Sequence, residues 1–122
     1  MNKRVLVVDD NEVIRLIVRS AIEMHTPYVV NEAVDGVDAL EKADTFNPDL
    51  VVMDLSMPRM SGLDASRTLK QTHPPTRVVL FTLHKDSVTD YDAHRAGVSA
   101  VVAKSDGLET LIHEVEHLLP VQ

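Results

Sequence analysis

Short apolar runs alternate with longer amphipathic stretches along this sequence. The runs are rich in valine and span five or six residues each, which is typical of strands buried on both faces of a parallel sheet. They lie at residues 4–8, 28–33, 49–53, 77–82 and 99–103. The pattern therefore predicts five strands.

The stretches between the runs predict helices. Asn11 is placed to cap the first one. The apolar positions that form its face recur at helical spacing and are Val13, Ile14, Ile17, Val18 and Ala21. A longer apolar stripe over residues 108–119 predicts the last helix. Further helices are predicted over 35–43 and 63–70, and also over 87–96, where the apolar face is thin.

Strands that alternate with helices, joined by connections too long for hairpins, imply parallel pairing through right-handed crossovers. Helices then cover both faces of the sheet. We predict an α/β fold, a (βα)5 doubly wound parallel sheet, formed by a single domain over residues 1–122. No repeat, low-complexity tract or linker interrupts this pattern.

Composition and charge narrow the function classes. The formal net charge of -7 should repel nucleic acid, so we expect no direct nucleic acid binding by this chain. The absence of cysteine excludes a disulfide framework and fits a reducing compartment. The apolar run of "MNKRVLVVDD" ends at two aspartates, too early for a signal peptide, and no window reaches the roughly 18 apolar residues of a spanning helix. We expect a cytoplasmic protein without a membrane segment.

Polar residues follow four of the predicted strands where each strand ends. Ligands of open parallel α/β sheets bind beyond the carboxyl ends of the strands, so these side chains are expected to converge at one edge. They are Asp9 and Asp10 after the first strand, Asp54 after the third, Thr82 at the end of the fourth and Lys104 after the fifth. The sequence predicts a site at that edge.

Three clustered carboxylates repel one another. Two like charges about 4 Å apart interact by about 4 kcal/mol at an effective dielectric of about 20. A hard cation with oxygen ligands offsets this repulsion, and Mg²⁺ suits a site with few carboxylates. The Ser56 carbonyl, just past Asp54, is placed to complete the metal's inner shell. Asp54 can then act as a nucleophile that receives a phosphoryl group, whose oxygens Lys104 and Thr82 would bind.

The same residues resemble a known family, the receiver domain of two-component response regulators. The matching motifs are "VDD" (8–10), "MDLSMPRMSG" (53–62), "FT" (81–82) and "AK" (103–104). The resemblance implies a flavodoxin-like sheet of order 2-1-3-4-5. It also implies a histidine kinase as phosphoryl donor and Asp54 as acceptor. Asp9, Asp10, Asp54 and the Ser56 carbonyl would hold Mg²⁺, Thr82 would be the switch hydroxyl and Lys104 would bind the phosphoryl group.

Two positions depart from the family pattern. Val101 stands where receivers often have a Tyr or Phe that moves with the switch hydroxyl, so an aromatic rotamer cannot transmit the change here. Ser105 stands where many receivers have a proline after the lysine, and we therefore expect a trans peptide at Lys104 and a different loop.

The segments "LSMPRMSGLDA" and "KSD" look most like receivers that precede a LuxR-type DNA-binding domain. No such domain follows in this sequence, so two alternatives stay open: a piece of a longer transcriptional regulator, which we favour, or a stand-alone receiver. The exposed remainder of the first or the last helix is a candidate face for a homodimer formed on phosphorylation.

Competing functions have weaker support. A Mg²⁺-dependent phosphohydrolase with an aspartyl nucleophile would usually need a second acid at position 56, which is serine. A flavin module would need a phosphate loop and aromatic residues, but the loop reads "DDNE" and the aromatic content is 3%. An unphosphorylated docking module would not need the intact acid, hydroxyl and lysine set. The pattern thus favours a phosphorylation switch rather than a turnover enzyme.

Histidines near the predicted site raise two smaller questions. His84 is expected at the mouth of the pocket, where it would affect the access of water to an acyl phosphate. His113 and His117 have a spacing that can hold zinc on a helix, but no third ligand is evident and a solvated face is favoured.

Overall fold

A sheet of five parallel strands lies at the centre of the computed structural model, which describes residues 2–120. The strand order is β2-β1-β3-β4-β5. The strands are β1 (Arg4–Val8), β2 (Val29–Ala33), β3 (Leu50–Met53), β4 (Arg77–Thr82) and β5 (Ala100–Ala103). The helices are α1 (Glu12–His25), α2 (Gly36–Phe46), α3 (Gly62–Thr72), α4 (Asp90–Arg95) and α5 (Gly107–Leu118). Short 3-10 helices occupy Lys85–Ser87 and Lys104–Asp106.

The five predicted strands and their order are confirmed. The second, third and fifth begin one residue later than the apolar runs do. Tyr28, just before β2, is nevertheless buried, and its hydroxyl donates a hydrogen bond to the carbonyl of Leu119 at the end of the last helix. At β2, therefore, the apolar run starts before the strand because Tyr28 is buried.

Side-chain caps fix where most helices start. Four of the five α-helices begin after a residue whose side-chain oxygen accepts a hydrogen bond from a backbone N–H in the first turn. These caps are Asn11, Asp35, Ser61 and Thr89. The predicted cap at Asn11 is confirmed, and it starts α1 directly after the two aspartates that follow β1.

The central strands are buried on both faces, as their apolar runs predict. In β1, Val5 and Val7 pack in a cluster with residues of α1 and α5. Leu6 and Val8 point the other way and pack with residues of α2 and α3. The sheet therefore has a hydrophobic core on each face. Polar groups collect at the amino and carboxyl ends of the strands.

The predicted apolar face of α1 is wrong at two positions. Val13 and Ile17 are 64% and 43% exposed, whereas Val18 and Ile22 are buried against the sheet. The apolar arc of this helix is wider than the strip that contacts the core, so one side of it faces solvent together with Leu16. This exposed strip is the part of α1 that remains a candidate dimer face.

The segment predicted as a helix over 87–96 is only partly helical. The 3-10 turn of Lys85–Ser87 precedes a short α4, and no residue of α4 itself is buried. The thin apolar face explains the short length, because little burial is available to stabilise further turns. Within residues 2–120, no helix is both long and apolar enough to cross a membrane.

Candidate functional site

The acidic residues predicted to meet do so at the carboxyl edge of the sheet. Strands β1 and β3 are neighbours, with Val8 in register with Met53, so the next residues along each strand are Asp9 and Asp54. Asp10 follows immediately. One carboxylate oxygen from each of Asp9, Asp10 and Asp54 lies within 4.8 Å of the other two. The topology, rather than sequence proximity, brings the third acid to the first two.

A single ammonium group neutralises part of this charge. Lys104 Nζ donates a hydrogen bond to Asp9 Oδ2 at 2.9 Å and lies 3.5 Å from Asp54 Oδ2. The three side chains are largely buried, with exposed fractions of 12% for Lys104, 6% for Asp9 and 12% for Asp54. Asp10, in contrast, is exposed. The cluster therefore has more negative than positive charge in a partly desolvated place.

Burial raises the pKa of the Asp54 carboxyl above its ordinary value. The charge of Lys104 acts in the opposite direction, and the nearby Asp9 carboxylate adds to the rise. A further cation at this place would favour the ionised form of all three acids. Three hard carboxylate oxygens beside one ammonium fit a divalent ion such as Mg²⁺.

The hydroxyl predicted to belong to the site is at the end of β4. Thr82 is fully buried, and its Oγ1 accepts a hydrogen bond from the backbone N–H of His84 at 3.1 Å. Thr82 is in register with Ala103, the residue before Lys104. The His84 side chain is exposed, and its effect on water access stays a prediction.

The loop after Asp54 folds back on the aspartate. The backbone N–H of Gly62 donates to the carbonyl of Leu55 at 2.8 Å, which closes the loop that contains the exposed Ser56. A Cβ on Gly62 would lie 2.3 Å from the carbonyl oxygen of Asp54. Glycine is therefore needed at position 62 because two backbone segments approach closely, and any side chain there would displace Asp54.

Arg15, which the sequence pattern does not mark as a site residue, contacts the backbone of the first acid. Arg15 Nη1 donates to the carbonyl of Asp9 at 2.9 Å, and its Nε donates to Glu32 at 3.1 Å. Arg19 also pairs with Glu32, at 3.0 Å. Burial disfavours ionised Glu32, but the hydrogen bonds from Arg19 and Arg15 outweigh it and lower its pKa. The available signal in the sequence was the acid Glu32 on the second strand and the two arginines, Arg15 and Arg19, on the first helix, which could have predicted this ion pair.

The two departures from the family pattern have visible consequences. Val101 is half-buried and pairs with Leu80 of β4, and its small side chain has no ring to rotate. Lys104 begins a short 3-10 helix, and no cis peptide bond occurs among the described residues, as predicted from Ser105. The loop after Lys104 then turns at Gly107, whose φ is +88°.

Sequence and structure comparisons agree with this geometry. Residues 5–116 match the response regulator receiver domain. The transcriptional regulatory protein YdfI of Bacillus subtilis is 36% identical over 117 residues, which cover 95% of this chain and 54% of that protein. The chain thus spans about half the length of curated relatives of this kind.

Solved structures of similar fold cover nearly the whole chain. The response regulator TrrA of Thermotoga maritima, in complex with Mg²⁺ and BeF, has a TM-score of 0.87 at 30% identity, over 96% of this chain and 99% of that one. A LuxR-family two-component response regulator of Aurantimonas has a TM-score of 0.88 at 33% identity, over 98% of this chain and 86% of that one. With the receiver match over 5–116, these likenesses show that the chain belongs to the response regulator receiver domain family.

Proposed function

We propose that this receiver domain is a phosphoacceptor switch, in which Asp54 accepts a phosphoryl group from a phosphohistidine of a histidine kinase. The observation that supports this most is the position of the Asp54 carboxylate. It shares a cluster with Asp9 and Asp10, and Lys104 Nζ lies 3.5 Å from it. A nucleophile, a divalent-ion site and an ammonium for phosphoryl oxygens are thus side by side.

Asp9, Asp10, Asp54 and the Ser56 carbonyl are the proposed ligands of Mg²⁺. When bound, the ion would neutralise charge on the phosphoryl oxygens. The donor set fits, because carboxylate and carbonyl oxygens are the ligands that hard cations prefer. The likeness to TrrA, whose structure is a complex with Mg²⁺ and BeF, supports the same proposal.

In the transfer, this chain would supply the nucleophile Asp54 and the phosphoryl-binding groups of Lys104 and Thr82, and the kinase would supply the phosphohistidine. An ionised oxygen of Asp54 attacks the phosphorus atom, a P–O bond forms and the P–N bond to the donor imidazole breaks, with its electron pair staying on the nitrogen. Lys104 would move from Asp9 toward the new phosphoryl oxygens. The hydroxyl of Thr82 would donate a hydrogen bond to another of them. Water would later hydrolyse the acyl phosphate, so no external substrate is turned over.

The conformational output is proposed to pass through the β4–β5 edge. Thr82 is in register with Ala103, and movement of its hydroxyl would shift the strand pair. Because Val101 has no aromatic ring, the change would travel through backbone and packing rather than a ring rotation. The likenesses to YdfI, a transcriptional regulatory protein, and to a LuxR-family response regulator support control of a DNA-binding output. A cytoplasmic location and a homodimer that forms on phosphorylation are further parts of this proposal.

The decisive experiment uses beryllofluoride or acetyl phosphate with Mg²⁺, followed by mass spectrometry of the protein under native conditions. We expect an adduct on the wild-type chain that Asp54→Ala abolishes. Asp106→Asn is the matched control, since Asp106 is an exposed acid at the same edge but outside the cluster, and this variant should react normally. Absence of the adduct from the wild-type chain, or its persistence in Asp54→Ala, would refute the proposal.

A phosphohydrolase is the alternative that the same preparation tests. Steady release of phosphate from added phosphomonoesters, beyond one equivalent of protein, would favour that enzyme. We expect no such turnover, because Ser56 cannot protonate a leaving group as a carboxylic acid can.

A further inference from the structure

An ion pair outside the acidic cluster holds the loop that follows Asp54. Arg59 donates two hydrogen bonds to Asp35, from Nε to Oδ2 at 2.7 Å and from Nη2 to Oδ1 at 2.9 Å. The Asp35 side chain is only 8% exposed, while that of Arg59 is 57% exposed. A bidentate arginine–carboxylate pair fixes orientation as well as distance, so the loop is tied to the start of α2 in one geometry.

The backbone at Arg59 is in a conformation that arginine rarely adopts. Its φ is +69°, in the left-handed region that is unfavourable for a residue with a Cβ. Such a conformation persists only where the surroundings impose it. The two hydrogen bonds to Asp35 are the contacts that hold the side chain here, and they offset the cost of the backbone geometry.

The rest of the loop is tied down on both sides of Arg59. At its base, the backbone N–H of Gly62 donates to the carbonyl of Leu55 at 2.8 Å. On the side of α2, a Cβ on Gly36 would lie 2.8 Å from the Cβ of Met60, so the helix start packs directly on the loop. The segment 55–61 is therefore a closed loop whose tip is fixed to α2, and Ser56 lies within it.

We propose that Arg59 and Asp35 are positioning residues that hold loop 55–61 in the geometry needed for the Ser56 carbonyl to join the three aspartates around Mg²⁺. This inference rests on the proposed function, since it takes the Ser56 carbonyl as a ligand. Neither side chain belongs to the cluster formed by Asp9, Asp10 and Asp54. Their effect on the ion is therefore indirect, through the backbone of the loop.

The electrostatics of the pair agree with a fixed, ionised contact. The hydrogen bonds from Arg59 lower the pKa of the Asp35 carboxyl, and its backbone hydrogen bond from Asp38 acts in the same direction. Asp35 thus has two structural tasks, since it also caps α2. A substitution that keeps the cap but removes the charge separates them, and Asn is a good helix cap.

Mg²⁺ affinity, measured by titration calorimetry on the unphosphorylated protein, tests the proposal. We expect Arg59→Gln and Asp35→Asn each to weaken binding by about 10-fold, the low end of the range for residues that support a metal ligand. The double variant should bind Mg²⁺ with the same affinity as the single variant that binds it less tightly, because both changes break the same contact. Arg59→Lys, which keeps the charge, should recover part of the affinity.

Two further readouts separate positioning from general stability. Hydrogen exchange of the amides in 55–61 should accelerate in Arg59→Gln without Mg²⁺, while the β-strand amides stay protected. Excess Mg²⁺ should restore the full beryllofluoride adduct in Arg59→Gln, because this variant binds Mg²⁺ more weakly but still has Asp54. Arg67→Gln is the matched control: Arg67 pairs with the exposed Asp64 at 2.7 Å on α3, and its loss should leave Mg²⁺ affinity unchanged.

Equal Mg²⁺ affinity in the wild-type protein, Arg59→Gln and Asp35→Asn would overturn this inference. In that case, loss of binding in Asp10→Asn would still support the proposed function, so the two failures are distinct. A wild-type protein that does not bind Mg²⁺ would overturn both. If Arg59→Gln does not fold, Asp35→Asn and Arg59→Lys decide the outcome, since they preserve the cap and the charge respectively.

Discussion

Carboxylates at the two ends of the β1–β3 strand pair have different surroundings. At the amino end, Asp49 Oδ2 accepts a hydrogen bond from the backbone N–H of Arg4 at 2.8 Å, and Arg4 Nη1 donates to the carbonyl of Phe46 at 3.0 Å. At the carboxyl end, three aspartates form a cluster, and Lys104 contacts two of them, Asp9 and Asp54. The acid at the amino end joins two elements of the fold, whereas the acids at the carboxyl end leave charge without a structural partner.

This difference separates a functional site from a structural contact, although both consist of aspartates. A backbone hydrogen bond does not by itself make the distinction, because Asp9 Oδ1 also accepts one, from the N–H of Asn11 at 2.9 Å. What distinguishes the carboxyl end is the crowding of its acids. Carboxylates that repel one another in a partly buried place cost free energy, and a ligand can recover that cost. Substitutions at one end of the strand pair, with the other end as the reference, test this distinction.

The largest effect is expected from removing the ammonium at the carboxyl end. Without Mg²⁺, Lys104→Met should lower the free energy of unfolding by about 3 kcal/mol, because it leaves Asp9 and Asp54 without their cation. Arg4→Met at the other end should cost only about 1 kcal/mol, since Arg4 is exposed and its side chain donates to one carbonyl. Urea unfolding followed by circular dichroism measures both. Equal losses of unfolding free energy in the two variants would contradict the proposed difference between the two ends.

The next effect concerns the ion. Mg²⁺ at about 100 times its Kd should raise the unfolding free energy of the wild-type protein by about 2.7 kcal/mol. Asp10→Asn should lose most of this gain, because a ligand oxygen loses its charge, and thermal unfolding with and without Mg²⁺ measures it. Asp49→Asn is the reference at the other end and should keep the gain. A similar loss in both variants would mean that Mg²⁺ acts through general screening.

A smaller effect of opposite sign is expected from Asp54, the proposed phosphoryl acceptor. Without Mg²⁺ at neutral pH, Asp54→Asn should raise the unfolding free energy by about 1 kcal/mol, because repulsion with Asp9 is relieved while Lys104 keeps one partner. Adding Mg²⁺ should reverse the order, since only the wild-type protein then has all three acids. Chemical unfolding under both conditions measures this crossover.

The pH dependence of that difference has a definite sign. Burial raises the pKa of Asp54 above its ordinary value of 3.8, so between the two values the folded chain binds the proton more tightly than the unfolded chain. The wild-type protein should therefore lose stability relative to Asp54→Asn as pH rises through that window. A difference that stays flat from pH 4 to neutral pH would contradict the assignment of a raised pKa.

The smallest effect is expected from Asp49→Asn. Asn can still accept the hydrogen bond from the Arg4 backbone, so the unfolding free energy should fall by only about 0.5 kcal/mol. The loss should be the same with and without Mg²⁺, since Asp49 lies at the opposite end of the strands. A Mg²⁺-dependent loss, measured by thermal unfolding, would mean that the two ends are coupled.

Strand ends were predictable because they depend on local patterns, whereas the strand order 2-1-3-4-5 was predicted from the resemblance to receiver domains. The valine-rich runs predict strands, parallel crossovers put their carboxyl ends at one edge, and Asp9, Asp10 and Asp54 are therefore brought together. The ammonium of Lys104 contacts Asp9 and Asp54 although it lies 95 residues from Asp9 in the chain. The positions of these residues at strand ends predict this convergence, and residue spacing alone does not.

Side-chain direction and the width of contact could not be predicted in this way. Periodicity groups Val13 and Ile17 with Val18, but only packing decides which side of a wide apolar arc meets the sheet. The pair formed by Arg59 and Asp35 joins a loop to a helix start across 24 residues, through an arginine backbone that is left-handed. No periodic pattern records such a contact, because it depends on the conformation of one loop.

The close approach of Gly62 to Asp54 also limits how the sequence of this loop can change. Because the chain returns to the aspartate at a fixed point, an insertion or deletion between residues 55 and 61 would need to preserve both the return and the contact at 62. We therefore expect length variation to be rejected here and accepted in the exposed segment 83–87 after Thr82. In a library of single-residue insertions scored for folding, we expect no folded variants at the loop 55–61, next to Asp54, the proposed phosphoryl acceptor.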